Sequence, residues 1–334
     1  MDFVRLFLIG AVLAVFLTDL AVQIFPRIKL LDFPERYGLK RVRLPYPGGI
    51  VFLLASFGIF FLDPKFWILA PAILVLGAVS FWDDRRQLPA WFRLLVHVGI
   101  AAGLFFAGVK IDFIGDPFHA TNFELAQYPI FSFIITVGWI VIIQNAMNWF
   151  DGLRGLAPGV SAIGFLALGI LGLIRPELFF DPAHTNLTLA NFYFAGVAAG
   201  GFWFFWRGKI ILGDTGSQIL GFLLAVMSIF SGAKIATTLL VLGLPILDAV
   251  VVVVRRAFLE KRSPFHGDQR HLHHNLAKKL GESNAVLALL GISLGLGTIA
   301  VFFQGFGKMI ALIVVVIFIL GLSSWIGRRS KEKS

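Results

Sequence analysis

Gln144–Gly159 reads QNAMNWFDGLRGLAPG and interrupts a run, Tyr128–Ile143, that is otherwise apolar enough to lie in lipid. Asn145, Asn148 and Asp151 stand three residues apart. On a helix they project from adjoining parts of one face, drifting by about 60° per step. Gly152, Gly155 and Pro158 then loosen or end that helix. Two amides and a carboxylate at a membrane boundary are costly unless they bind something. Oxygen ligands of this kind suit a hard cation such as Mg²⁺. A polar helix end facing a loop is the plainer account of the same residues.

The apolar run is one of many. Hydrophobic residues make up 58% of the 334 and charged ones 14%, with a mean hydropathy of +0.86. That balance excludes an ordinary soluble domain. Apolar segments are expected at Phe3–Phe25, Gly49–Leu62, Phe66–Phe81, Ala90–Gly108, Tyr128–Ile143, Gly159–Leu173, Leu187–Trp206, Gly216–Phe230, Ile235–Val254, Asn284–Phe303 and Met309–Ile326. The fold class is therefore all-α, a polytopic membrane bundle of about eleven transmembrane helices. The first run has no small-residue cleavage site behind it and reads as a retained anchor. A single transmembrane domain is expected over residues 1–334, with a His/Arg-rich loop at 255–283 and a basic tail at 327–334.

The absence of cysteine excludes disulfide and thiolate chemistry. Lys and Arg concentrate in alternate loops: Arg27–Arg43, Arg85–Arg86, Arg154, Arg207–Lys209, Arg255–Lys279 and Arg328–Lys333. The positive-inside bias then places the N-terminus outside, and the C-terminus and those loops in the cytoplasm. The net charge of +10 follows from that bias and from attraction to anionic lipid or nucleotide phosphate. Basic residues confined to short loops between spans argue against nucleic acid as a partner.

Each polar island falls on the basic side. Asp83-Asp84-Arg85-Arg86 ends the third span. Adjacent carboxylates repel, which raises one pKa for base work unless a metal or arginine neutralises the pair. Gly213-Asp214-Thr215-Gly216-Ser217 opens the eighth span, where free N–H groups favour an anion; Asp214 is equally read as a plain N-cap. His266, Asp268, Arg270, His271, His273 and His274 cluster in the long loop, which holds four of the seven histidines. Their spacing is not a zinc pattern, and with the nearby arginines they read as a phosphate-binding surface. Together the islands describe chemistry on a phosphorylated soluble donor and a lipid acceptor.

The motifs resemble those of the polyprenyl-phosphate N-acetylhexosamine-1-phosphate transferases, the WecA/TagO/MraY superfamily, over nearly the whole chain. The resemblance rests on Asp32-x-Pro34 with Pro45 and Gly48-Gly49, on Asp83-Asp84, and on Asn145-x-x-Asn148-x-x-Asp151-Gly152-Leu153-x-Gly155. It continues through Gly213-Asp214-x-Gly216-Ser217, Pro245-x-x-Asp248 and Ser263-Pro-Phe-x-x-Asp268-x-x-His271-Leu-His273-His274. The histidine ending and the number of spans resemble the WecA/TagO branch. The resemblance implies a bacterial inner-membrane enzyme that passes a sugar-1-phosphate from a UDP-N-acetylhexosamine to undecaprenyl phosphate, with Mg²⁺ (or Mn²⁺) as cofactor and UMP as by-product. It implies Asn148 and Asp214 as metal ligands and Asp83, Asp84 and Asp151 as catalytic residues. It also implies Asn145, Arg93, Arg154, Asp268, His271, His273 and His274 as substrate contacts.

Arg154 departs from the family pattern, which has an acid there, and opens the alternative of an atypical nucleotide sugar. Glu35–Lys40 departs from the expected Arg-Lys-x-His run. A secondary transporter is the other reading; it predicts polar residues near mid-span and an inverted repeat. A homodimer is compatible with the sequence, which does not fix the oligomeric state.

Overall fold

The computed structural model describes residues 1–37, 41–115, 122–176, 184–232, 235–256 and 271–331. It is a helical bundle with, among the described residues, one short pair of antiparallel strands, β1 (Phe113–Gly115) and β2 (Asn122–Glu124). Helix α1 (Asp2–Ile24) lies along α7 (His184–Trp206), with Gly10, Gly196 and Gly200 at the crossing. Backbones approach closely there, as lipid-embedded helices require, since apolar surface alone gives no drive to associate in hydrocarbon.

The centre is formed by α3 (Ala70–Arg86), α5 (Pro129–Phe150), α6 (Leu156–Ile174) and α8 (Gly213–Phe230). In α8, every residue from Thr215 to Ile229 is buried. Periodicity around such a helix is lost because it packs on all sides. Helix α2 (Ile50–Ser56) crosses the start of α8 so closely that a Cβ on Gly49 would lie 2.0 Å from the Gly216 nitrogen. Helix α4 (Ala90–Phe106) covers the outer side of α3 and α5.

Each of the eleven expected apolar segments coincides with helix, though not every one is long and straight. Seven helices are long and apolar enough to cross a membrane among the described residues, or eight if one bent pair is a single span. The pair is α9 (Ile235–Val241) and α10 (Gly243–Val254), which meet at 79° instead of forming a straight ninth span. Gly243 and Pro245 stand at the break, and proline lacks the N–H that a continuous helix would need. The segments over Ile50–Phe61, Ala90–Phe106 and Gly305–Ile317 are shorter apolar helices. Part of the expected 255–283 loop is helix α11 (Leu272–Leu280), followed by α12 (Glu282–Phe302) and α13 (Gly305–Lys331).

Two helix boundaries shift towards the polar islands. Helix α5 runs to Phe150, so Asn145 and Asn148 lie on it and Asp151 caps it. Helix α6 begins at Leu156, which puts Pro158 in its first turn, where the missing N–H has no intrahelical acceptor to lose.

Candidate active site

The ends of α3, α5 and α8 meet the loop between α1 and α2 around a cavity of about 530 Å³. Asp32, Asp83, Asp84, Asp151 and Asp214 line it, against two arginines, Arg41 and Arg93, with Asn148 beside them. Motifs more than a hundred residues apart in sequence thus share one space.

Asp84 is committed to holding α8. It accepts hydrogen bonds from the Asp214 N–H (2.7 Å), the Thr215 N–H (3.0 Å), Thr215 Oγ1 (2.6 Å) and Tyr46 Oη (2.5 Å). A helix N-terminus carries partial positive charge and unpaired N–H groups. Here the cap comes from another helix, and Asp214 is a first-turn residue, not the N-cap. Gly213 has φ +76°, and a Cβ there would lie 2.9 Å from both Asp84 carboxylate oxygens. Glycine at that position lets the carboxylate reach the helix start.

Asp83 accepts from the Leu88 N–H (2.5 Å) and from Arg93 Nη1 (2.7 Å), which fixes the turn into α4. The same Arg93 nitrogen donates to Asp214 Oδ2 at 2.9 Å. Asn148 Nδ2 donates to Asp214 Oδ1 (3.0 Å) and to Ser217 Oγ (2.9 Å). Asn148 and Asp214 are therefore in contact. Asp32, buried under the first loop, accepts from the Leu44 N–H (2.7 Å) and from Arg41 Nη2 (2.6 Å).

Asp151 differs from the other acids. Its carboxyl is pushed well above the ordinary carboxylate range, first by burial beneath the surrounding protein and then by the charges of Asp214 and Asp84. No hydrogen bond to it offsets this among the described residues. Five acidic side chains against two guanidiniums line the space, and the side-chain donors they offer a metal are hard oxygens. That donor set fits a divalent cation such as Mg²⁺.

A second, apolar groove of about 320 Å³ runs between α4, α5 and α10, lined by Leu94, Ile142, Trp149, Ile246 and Val250 among others. Arg93 and Asn145 also line it. Asn145 Nδ2 donates to the Val141 carbonyl (2.8 Å) and lies 3.4 Å from His97 Nδ1. The three-residue spacing has by then rotated it away from Asp151, so Asn145 faces the groove while Asn148 and Asp151 face the cavity.

The histidines form a separate group. His271 and His273 contact Asp248 and are buried, His273 completely. None of the three lines the cavity. Arg154 lines neither space: its guanidinium lies 3.7 Å from Glu282, and its backbone N–H donates to the same carboxylate at 3.0 Å. Asp268 lies outside the described residues. The sequence reading assigned no site role to Asp32, Tyr46 or Asp248, although all three stand inside or beside quoted motifs. Thr215 carried no signal of its own.

Known proteins resemble this chain over most of its length. The family model described as glycosyl transferase family 4 matches residues 66–232, which hold Asp83, Asp84, Arg93, Asn148, Asp151 and Asp214. The chain is 27% identical to a probable undecaprenyl-phosphate N-acetylglucosaminyl 1-phosphate transferase of Bacillus subtilis, over 94% of this chain and 88% of the relative. It is 30% identical to a decaprenyl-phosphate N-acetylglucosaminephosphotransferase of Mycobacterium tuberculosis, over 88% and 80%. An undecaprenyl-phosphate alpha-N-acetylglucosaminyl 1-phosphate transferase of Thermotoga maritima is 28% identical over 85% of each chain.

Proposed function

The chain belongs to glycosyl transferase family 4, and on that premise we propose that it moves N-acetylglucosamine-1-phosphate, or a related N-acetylhexosamine-1-phosphate, from a UDP-sugar to undecaprenyl phosphate. The products are a lipid-linked diphosphate sugar and UMP. The observation that carries the reading is the junction of an acidic cavity with an apolar groove at Arg93, which lines both. A polyprenyl chain suits the groove, and a diphosphate with its metal suits the cavity.

Asn148 and Asp214 would hold Mg²⁺ through their side-chain oxygens. When bound, the ion neutralises charge on the donor diphosphate and on the departing UMP. Arg93 keeps Asp83 and Asp214 in place and meets the acceptor phosphate where the groove opens. Asp84 holds the start of α8, and so fixes Asp214. Asp151 takes the proton from the acceptor phosphate; burial keeps its basicity high enough for that step. An acceptor oxygen then forms the new P–O bond at the sugar-bearing phosphorus as the bond to UMP breaks. The catalytic carboxylate in this scheme is Asp151, while Asp83 and Asp84 organise the site.

The lining loops are the basic ones, so the cavity faces the cytoplasm, where UDP-sugars are found. The acids stand at helix ends and not at mid-span, which disfavours a transporter. The pairing of Arg154 with Glu282 supports an ordinary UDP donor over an atypical one. Membranes carrying the protein, given UDP-GlcNAc, undecaprenyl phosphate and Mg²⁺, are expected to release UMP. No UMP from a broad panel of UDP-sugars would remove the assignment.

A further inference from the structure

Asp248 sits on α10, buried to 5% exposure, outside both the cavity and the groove. One of its oxygens accepts the Leu272 N–H at 2.8 Å. The other lies 3.0 Å from His271 Nδ1 and 3.1 Å from His273 Nδ1. A carboxylate facing two imidazoles at these distances holds both as Nδ1–H donors. All three bonds fall on the first residues of α11, so the acid pins the start of that helix to the middle of α10.

The other side of the clamp is the turn between α5 and α6. A Cβ on Gly152 would meet His273 Nε2 at 2.2 Å and His274 Cε1 at 2.7 Å. The His273 ring also stands edge-on to Phe150, with centroids 5.3 Å apart. Its Nε2 is buried without a hydrogen-bond partner among the described residues. His273 is therefore closed to a substrate, and His271 is nearly so at 7% exposure. His274 keeps part of its surface open beside Gly152, the neighbour of Asp151.

We propose that Asp248 is a positioning residue: through His271 and His273 it seats α11 on the Asp151 turn, so that the His274 imidazole meets the sugar-nucleotide donor. This rests on the transferase reading and refines it, because two of the three histidines become structure and one becomes a contact. Burial, with His273 and His271 alongside, holds His274 down at about 4. Its ring is then neutral near pH 7 and offers the donor a hydrogen bond instead of a charge.

The test is donor affinity in the purified full-length protein. Asp248→Asn and His274→Ala are each expected to raise KM for UDP-GlcNAc about tenfold, the size of one lost hydrogen bond, with KM for undecaprenyl phosphate unchanged. The double variant is expected to be no worse than His274→Ala alone, because Asp248 acts through His274. Gly152→Ala, which displaces the same rings from the other side, is expected to show the same signature if Asp248→Asn does not fold. Calorimetric binding of UDP-GlcNAc repeats the comparison without turnover. A wild type that binds donor yet makes no UMP breaks the transferase reading and leaves this one measurable. Unchanged donor affinity in a folded Asp248→Asn protein would overturn the proposal. So would effects that multiply in the double variant, or a stoichiometric transition metal lost with Asp248.

Discussion

Two polar clusters of this protein, one at the ends of α3, α5 and α8 and one at the middle of α10, behave oppositely. Around Asp214, five carboxylates face two arginines and a cavity of about 530 Å³. Around Asp248, one carboxylate faces two imidazoles and a backbone N–H, with both of its oxygens hydrogen-bonded. The first cluster has acids in excess of arginines, and room, so it is built for a cation and a phosphorylated ligand. The second has neither, and it serves as a fastening. Acid and histidine content alone do not make a site; an excess of acids over bases beside empty volume does.

Variants can break that contrast or sharpen it. The largest effect is expected from Asp214→Asn, which removes a carboxylate from the ligand-bearing side: UMP release falls by roughly a thousandfold or more. The folded protein stays in the membrane, with a melting temperature within a few degrees of wild type. Retention of most activity would take Asp214 out of the metal site and erase the distinction from Asp248.

Asp84→Asn comes next. Its loss should uncap α8 and cost about 1–2 kcal/mol of stability, and it should also lower turnover by displacing Asp214. A melting curve and a UMP assay together check this. Full activity at reduced stability would make the cap independent of catalysis.

A smaller effect concerns Asp151 in protein stripped of metal by chelator. A carboxyl whose pKa is raised on folding contributes stability below its unfolded value, and that stability is lost as pH rises through the raised value. Asp151→Asn should therefore melt a few degrees above wild type at pH 8 in EDTA, with the gap closing towards pH 4. A gap that persists at low pH, or that has the opposite sign, would remove the strained-carboxyl account of the cavity.

The smallest effect is expected from Asn145→Leu in the groove wall. KM for undecaprenyl phosphate should shift by about two- to threefold while KM for the donor stays put. A donor-side effect would mean that groove and cavity do not divide the two substrates.

Much of this was legible in the chain. Apolar run length located each apolar helix, because a helix must satisfy its own backbone in lipid. The spacing of Asn148 and Asp151 put both on the cavity side. Asn145 was less legible, because two steps of 60° turn it a third of the way round the helix, towards α4 and the groove. The bend at Gly243 was masked by an unbroken apolar composition through Ile235–Val254. Histidine spacing pointed to a phosphate surface, yet His273 is fully buried.

By itself, the sequence determined a helical membrane protein with its acids, amides and histidines gathered at span ends, because hydrophobic length and helical period are local properties. Only the tertiary structure decided which partner each charged group takes: Asp84 to the start of α8, Arg93 to Asp83 and Asp214, and Asp248 to the histidines. Those choices join residues from 10 to 130 positions apart. They depend on how helices cross, which no local pattern encodes.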